Sequence, residues 1–117
     1  MTLVDTSVWI HHLQKGDSRL ARLLSESLVL THPFVIGELS LGNLKNRKAV
    51  LDLLNNLPQA AMADHDEVIA FVEANGLAGL GMGWIDAHLL ASARLSESEL
   101  LTSDKAMLRA AAHLTAR

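Results

Sequence analysis

The sequence predicts an α/β domain, a small central parallel β-sheet flanked by α-helices. Three observations predict it. Thr2-Leu3-Val4, Leu28-Val29-Leu30-Thr31 and Leu100-Leu101-Thr102 are short apolar runs of the kind that form buried strands. The stretches between them carry helix periodicity and helix-starting residues. No hairpin dipeptide joins two of the strand runs, and strands that alternate with helices form parallel sheets.

Taken in order, Thr2–Val4 leads into a helix over about Thr6–Leu13. Gly16-Asp17-Ser18 is a break, and Asp17 or Ser18 caps a helix whose apolar face is Leu20, Leu23 and Leu24. After the second strand, Pro33 fits the first turn of a helix that runs to about Leu41. Asn46–Leu57 is amphipathic and closed by Pro58. Asp64-His65-Asp66-Glu67 starts the next helix, with Val68, Phe71 and Val72 inward and Asn75-Gly76 at its end. Gly76–Gly83 holds four glycines but neither GxGxxG nor GxxxxGK[ST], so it reads as a connection between helices rather than a phosphate cradle. Trp84–Ala93 is helical, and Asp104–Ala112 forms the last helix after the third strand.

The 117 residues suffice for one domain, 1–117, and leave no room for a second core. Half of them are hydrophobic and a fifth are charged, which favours folding over disorder. With two Phe, two Trp and no Tyr, the core must be aliphatic. The absence of cysteine excludes disulfides, thiolate metal sites and thiol catalysis. The first residues carry no basic segment followed by a long apolar one, and no run of about 18 apolar residues occurs, so a cytoplasmic protein without a membrane role is expected. Net charge is −3, which argues against holding nucleic acid by a broad positive face.

Most acids sit in turns, caps or charged faces. Four sit in apolar surroundings: Asp5 after Leu3-Val4, Glu38 in Val35-Ile36-Gly37-Glu38-Leu39, Asp86 in Trp84-Ile85-Asp86-Ala87-His88, and Asp104 after Leu100–Ser103. Each has a structural explanation. Asp5 and Asp104 can cap the helices that follow, Asp86 can act on a helix dipole, and Glu38 can face solvent. Together they read differently, because the carboxyl ends of parallel strands share one edge, where ligands bind. Asp5 and Asp104 leave strands at that edge, and Glu38 and Asp86 lie near first turns of helices able to reach it. Only Asp104 has a basic neighbour in sequence, Lys105. Unpaired buried carboxylates are costly, so four that converge point to a divalent cation site. All-oxygen ligation selects Mg²⁺ or Mn²⁺.

Other residues carry weaker signals. The six histidines show no HxxxH or HExxH spacing and read as surface or packing residues. Trp9 and Trp84 flank apolar runs and read as core rather than as base-stacking platforms. Arg19, Arg22, Lys45 and Lys48 are the candidate phosphate contacts. The chemistry of the residues alone ends at an acidic metal site on an α/β domain.

LVDTSVWI, VIGELSLG, GWIDAHLLASA and LLTSDKAML resemble, in order and spacing, the four acidic blocks of PIN domains, most closely the small VapC-type toxins. The resemblance runs from Leu3 to about Leu108. It implies a PIN-like fold, an acidic quartet of Asp5, Glu38, Asp86 and Asp104 that serves as catalytic and metal-binding set for Mg²⁺ or Mn²⁺, and supporting hydroxyls at Thr6 or Ser7 and at Thr102. It also implies endoribonuclease activity on RNA, a cognate antitoxin of the VapBC type as inhibitor, a homodimer, and a higher assembly with that antitoxin. Leu39-Leu41-Leu44 and Val50-Leu54 are the apolar faces expected to remain for association. Two rivals stand beside it. A catalytically inactive PIN fold would serve as an interaction module. A receiver-like phosphoacceptor domain would need adjacent acids after the first strand, where this chain has Thr6.

Overall fold

The computed structural model describes residues 1–115. In chain order its elements are β1 (Thr2–Val4), α1 (Thr6–Lys15), α2 (Ser18–Ser25), β2 (Val29–Leu30), α3 (Pro33–Ser40), α4 (Arg47–Asn56), α5 (His65–Ala74), α6 (Trp84–Leu95), β3 (Glu99–Leu101) and α7 (Lys105–Thr115). The three strands form one parallel sheet in the order β2-β1-β3, with Leu3 opposite Leu30 on one side and Leu100 on the other. β1 is buried along its whole length, as an apolar strand between two parallel neighbours must be. Thr31 continues β2 into a bridge with Gln59, fixed by Thr31 N–H to the Pro58 carbonyl at 2.9 Å and Ala60 N–H to the Thr31 carbonyl at 2.8 Å.

Local chemistry sets the helix starts. Asp17 caps α2 by accepting from the Arg19 and Leu20 N–H groups. Pro33 occupies the first turn of α3, and the Nδ1 of His32 accepts the Phe34 N–H at 2.9 Å. Asp64 and Glu67 exchange hydrogen bonds at the start of α5. Gly76, Gly79 and Gly81 adopt positive φ in the loop before α6, a backbone form that side chains disfavour.

The main core joins Leu3, Val4, Val8, Trp9, Leu20, Val29, Val35, Leu39, Leu54 and Leu89. α6 is the most enclosed helix, with every residue from Ala87 to Ala93 buried. Its N-terminus therefore emerges from the interior at a fixed place, which matters for Asp86.

Several expectations need correction. Leu39 and Leu54 are core residues, so the apolar face left on that side consists of Leu41, fully open, and the half-buried Leu44 and Val50. Trp84 is 41 % exposed rather than core, whereas Trp9 is fully buried. β3 begins at Glu99 and ends before Thr102, and α1 and α7 each run longer than their periodicity indicates. No helix among the described residues is long and apolar enough to cross a membrane.

Candidate active site

Asp5 stands where β1 ends. The parallel ladder extends to its own N–H, which bonds the Leu101 carbonyl at 2.9 Å, so its backbone is held by the sheet. The side chain is only 4 % exposed. Its Oδ1 accepts the Thr6 N–H at 2.8 Å, and its Oδ2 accepts the hydroxyls of Ser7 at 2.9 Å and Thr102 at 2.7 Å. Thr102 in turn accepts the Asp104 N–H at 3.0 Å, and Ser7 accepts the Ser103 N–H at 3.2 Å. The segment after β3 is thus stitched to the end of β1 by hydroxyl groups.

Asp104 follows from that stitching. Its Oδ1 takes the Met107 N–H at 3.0 Å and so caps α7. Glu38 arrives from α3, where its Oε1 accepts the Thr6 hydroxyl at 2.7 Å, a link between residues 32 apart in sequence. Asp86 comes from the first turn of α6. A single long hydrogen bond, from the Gly83 N–H at 3.4 Å, reaches its Oδ2. The capping roles expected of Asp5 and Asp104 are real, and both side chains still face the cluster.

Electrostatics link Asp86 to the other three acids. Burial pushes the Asp86 carboxyl above its ordinary value, the Gly83 N–H opposes that, and the negative charges of Asp5, Asp104 and Glu38 raise it further. Three carboxylates from three other segments therefore act on Asp86. Among the described residues three ion pairs occur, at Asp17 with His11 and Arg19 and at Asp52 with Lys48, and none involves these four acids.

The donor set suits a hard divalent cation: carboxylate oxygens, no sulfur, no competing base. As the side chains stand, no three acidic or histidine groups among the described residues surround one point closely enough to hold an ion by themselves. Such an arrangement suits a divalent cation that would keep several waters and take only one or two carboxylates directly.

The basic candidates divide. Arg19 is engaged by Asp17, with Nη2 at 2.9 Å from Oδ2 and Nε at 3.3 Å from Oδ1, and that pairing holds the Asp17 carboxyl well below the usual range. Arg22 shares α2, which packs on α1 and carries none of the four acids. Lys48 pairs with Asp52 on exposed α4. Lys45 alone shares a cleft with one of the acids, Glu38.

One feature escapes sequence reasoning. His32, Phe34, His88, Trp84 and His65 form a file of ring contacts with centroids 4.8–5.0 Å apart, running from the end of β2 across α3 and α6 to α5. His32 and His88 are buried, and burial lowers both imidazole pKa values, that of His32 to about 4. The Trp84–His88 spacing of four residues was the available signal, since it places both rings on one helix face.

A family model for the PIN domain matches residues 2–113. The chain is also 49 % identical over 113 residues to ribonuclease VapC32 of Mycobacterium tuberculosis, in both strain CDC 1551 / Oshkosh and strain ATCC 25618 / H37Rv, covering 96 % of this chain and 91 % of the relative. The parallel sheet and the order of the four acidic blocks agree with that match, and the chain belongs to the PIN-domain family, among its VapC-type members.

Proposed function

We propose that this chain is a metal-dependent endoribonuclease, the toxin of a VapBC-type pair, that hydrolyses RNA phosphodiester bonds at Asp5, Glu38, Asp86 and Asp104 with Mg²⁺, or Mn²⁺, as cofactor. One observation carries the reading: the carboxylates of Asp5, Glu38 and Asp104 all act on Asp86, and none of the described cations pairs with any of the four. Relatives named as ribonucleases at 49 % identity support the reaction class.

The ion, when bound, stabilises charge on the phosphate oxygens and makes hydroxide available near neutrality. The chain's own residues prepare for it. The Asp5 carboxyl is held in place by one N–H and two hydroxyls. Glu38 is tethered to α1 through Thr6. Asp86, with one weak hydrogen bond and three negative neighbours, has most to gain from a cation. A cation held by these acids would also offset the negative charge of the pocket toward an acidic substrate.

The partner reading rests on a second surface. A cleft of about 590 Å³ runs between α1 and the α3–α4 connection, lined by Ile10, Leu13, Leu39, Leu44 and Val50, with Glu38 and Lys45 in its wall. An antitoxin segment with apolar residues would fill it, and a basic side chain at its end would reach Glu38 and compete with the metal. A homodimer, and a larger assembly with antitoxin, complete the proposal.

The test is cleavage of RNA by purified protein. Activity should appear with Mg²⁺ or Mn²⁺, vanish in EDTA and be poorly supported by Ca²⁺, whose longer bonds and higher coordination number suit the site less well. Undiminished cleavage in EDTA would refute metal dependence, and no cleavage under any divalent ion would refute the nuclease reading.

A further inference from the structure

The two tryptophans of the chain have opposite fates. Trp9 is fully buried, whereas Trp84, the first residue of α6, is 41 % exposed. An exposed indole is usually mobile, but this one is braced. It meets His88 edge-on, with centroids 4.8 Å apart and planes at 87°, and it lies tilted against His65 at 4.9 Å. Phe34 backs His88 at 4.9 Å. A ring held this way gives up little conformational freedom when a ligand stacks on its open side.

A shallow groove of about 210 Å³ lies beside the indole, lined by Ile69, Leu77, Leu80, Met82, Gly83 and Trp84 among others. Its walls owe their shape to Gly79 and Gly81, both at positive φ. Gly83 belongs to two sites at once, because it lines the groove and its N–H meets Asp86 Oδ2 at 3.4 Å. Trp84 and Asp86 are about 3 Å apart along the helix axis but leave it on opposite sides. Gly83 is therefore the point at which the groove and the acidic cluster meet.

We infer that Trp84 is a substrate-binding residue that stacks on a nucleobase next to the scissile phosphate of single-stranded RNA, with His65 and His88 as its positioning residues. The inference rests on the nuclease reading and extends it. The groove's size favours this occupant, since 210 Å³ admits one planar ring but not the flank of a helix, for which the 590 Å³ cleft beside α1 is the better seat. Its chemistry does too. A nucleobase offers an uncharged flat face to an apolar groove, and its attached phosphate is what a metal-loaded carboxylate cluster attracts. Stacking is tolerant of base identity, so this contact would position the strand more than read its sequence.

The experiment compares Trp84→Ala, Trp84→Phe and Trp84→Leu in steady-state cleavage of a short single-stranded RNA of mixed sequence with Mg²⁺. Trp84→Ala should raise KM roughly tenfold, the usual cost of losing a stacked base, with kcat little changed. Phe should restore most of the loss and Leu should not. In parallel, Trp9→Phe leaves Trp84 as the sole tryptophan, and Asp5→Asn in the same chain keeps the RNA intact. Indole fluorescence should then be quenched by that RNA but not by a matched strand with abasic sites. Equal rescue by Leu and Phe, an unchanged KM in Trp84→Ala, or equal quenching by the abasic strand would each overturn the stacking role while leaving the nuclease standing. A dimer that becomes a monomer on Trp84→Ala, seen by light scattering with KM unchanged, would assign the indole to self-association instead. Wild-type protein without metal-dependent cleavage would refute the enzyme reading itself, and the fluorescence arm would still judge the stack.

Discussion

Asp5 and Asp17 are both buried, 4 % and 7 % exposed, and both precede a helix whose first turn they cap. Their company differs. Asp17 takes two backbone N–H groups and is closed by the Arg19 guanidinium and by His11 at 3.3 Å. Asp5 takes one N–H and two neutral hydroxyls, no described cation pairs with it, and its charge acts on another acid, Asp86. A buried carboxylate beside a cation is a finished structural unit. One that is hydrogen-bonded but not neutralised, and set among like charges, is held ready for a cation from outside. Burial alone marks neither kind; the missing counter-charge does.

The largest effect expected from this contrast is on catalysis. Asp5→Asn keeps the shape and removes charge, and should lower RNA cleavage at least ~100-fold, as loss of a key catalytic group typically does. Glu38→Gln, Asp86→Asn and Asp104→Asn should do likewise. Near-normal turnover by the purified Asp5→Asn protein would erase the distinction between the two aspartates.

Asp17→Ala is the reciprocal case. It removes a helix cap and should cost about 1–2 kcal/mol of stability, read as the shift of a urea unfolding midpoint. Metal-dependent cleavage by the folded protein should be unaffected. A loss of turnover comparable to that of Asp5→Asn would bring Asp17 into the site and Arg19 back as an RNA contact.

The smallest effect tests the crowding itself. Asp86 has a raised folded pKa, so the native protein keeps this proton after the unfolded chain has released it. Stability should therefore fall as pH rises from the unfolded value, near 4, through the higher folded one, and stay lowered above it. Asp17, with a depressed folded pKa, has the opposite sign: its contribution is present above the unfolded value and lost as pH falls toward the folded one. In EDTA at neutral pH, Asp86→Asn should thus melt somewhat above wild type, and Mg²⁺ should raise the wild-type melting temperature but not the variant's. A variant that melts well below wild type in EDTA would make Asp86 a structural cap of α6.

Much of the fold is legible from neighbours in sequence. The strand runs, Pro33 in the first turn of α3, the caps at Asp17 and Asp64 and the break at Asn75-Gly76 all depend on residues within one turn of one another. The exposure of Trp84 is not legible in sequence, because an indole beside isoleucine looks apolar in any window while its exposure depends on where α6 leaves the interior. The pairing of Arg19 with Asp17 is hidden from sequence for a different reason. Residues two apart do not face each other within a helix, but Asp17 lies just outside α2 and its side chain turns back.

The parallel α/β character, the strand and helix succession and the lack of basic neighbours beside most of these acids can be read from the chain alone, because each follows from periodicity, capping and composition over short spans. The company those acids keep is set by packing between distant segments. Thr102 bonds Asp5 across 97 residues and Thr6 bonds Glu38 across 32, and it is the packing of α6 through the core that brings Asp86 within reach of three other charges. Hydrogen bonds and repulsion act through space, over a few ångströms, and no local pattern specifies which distant residue will occupy that space.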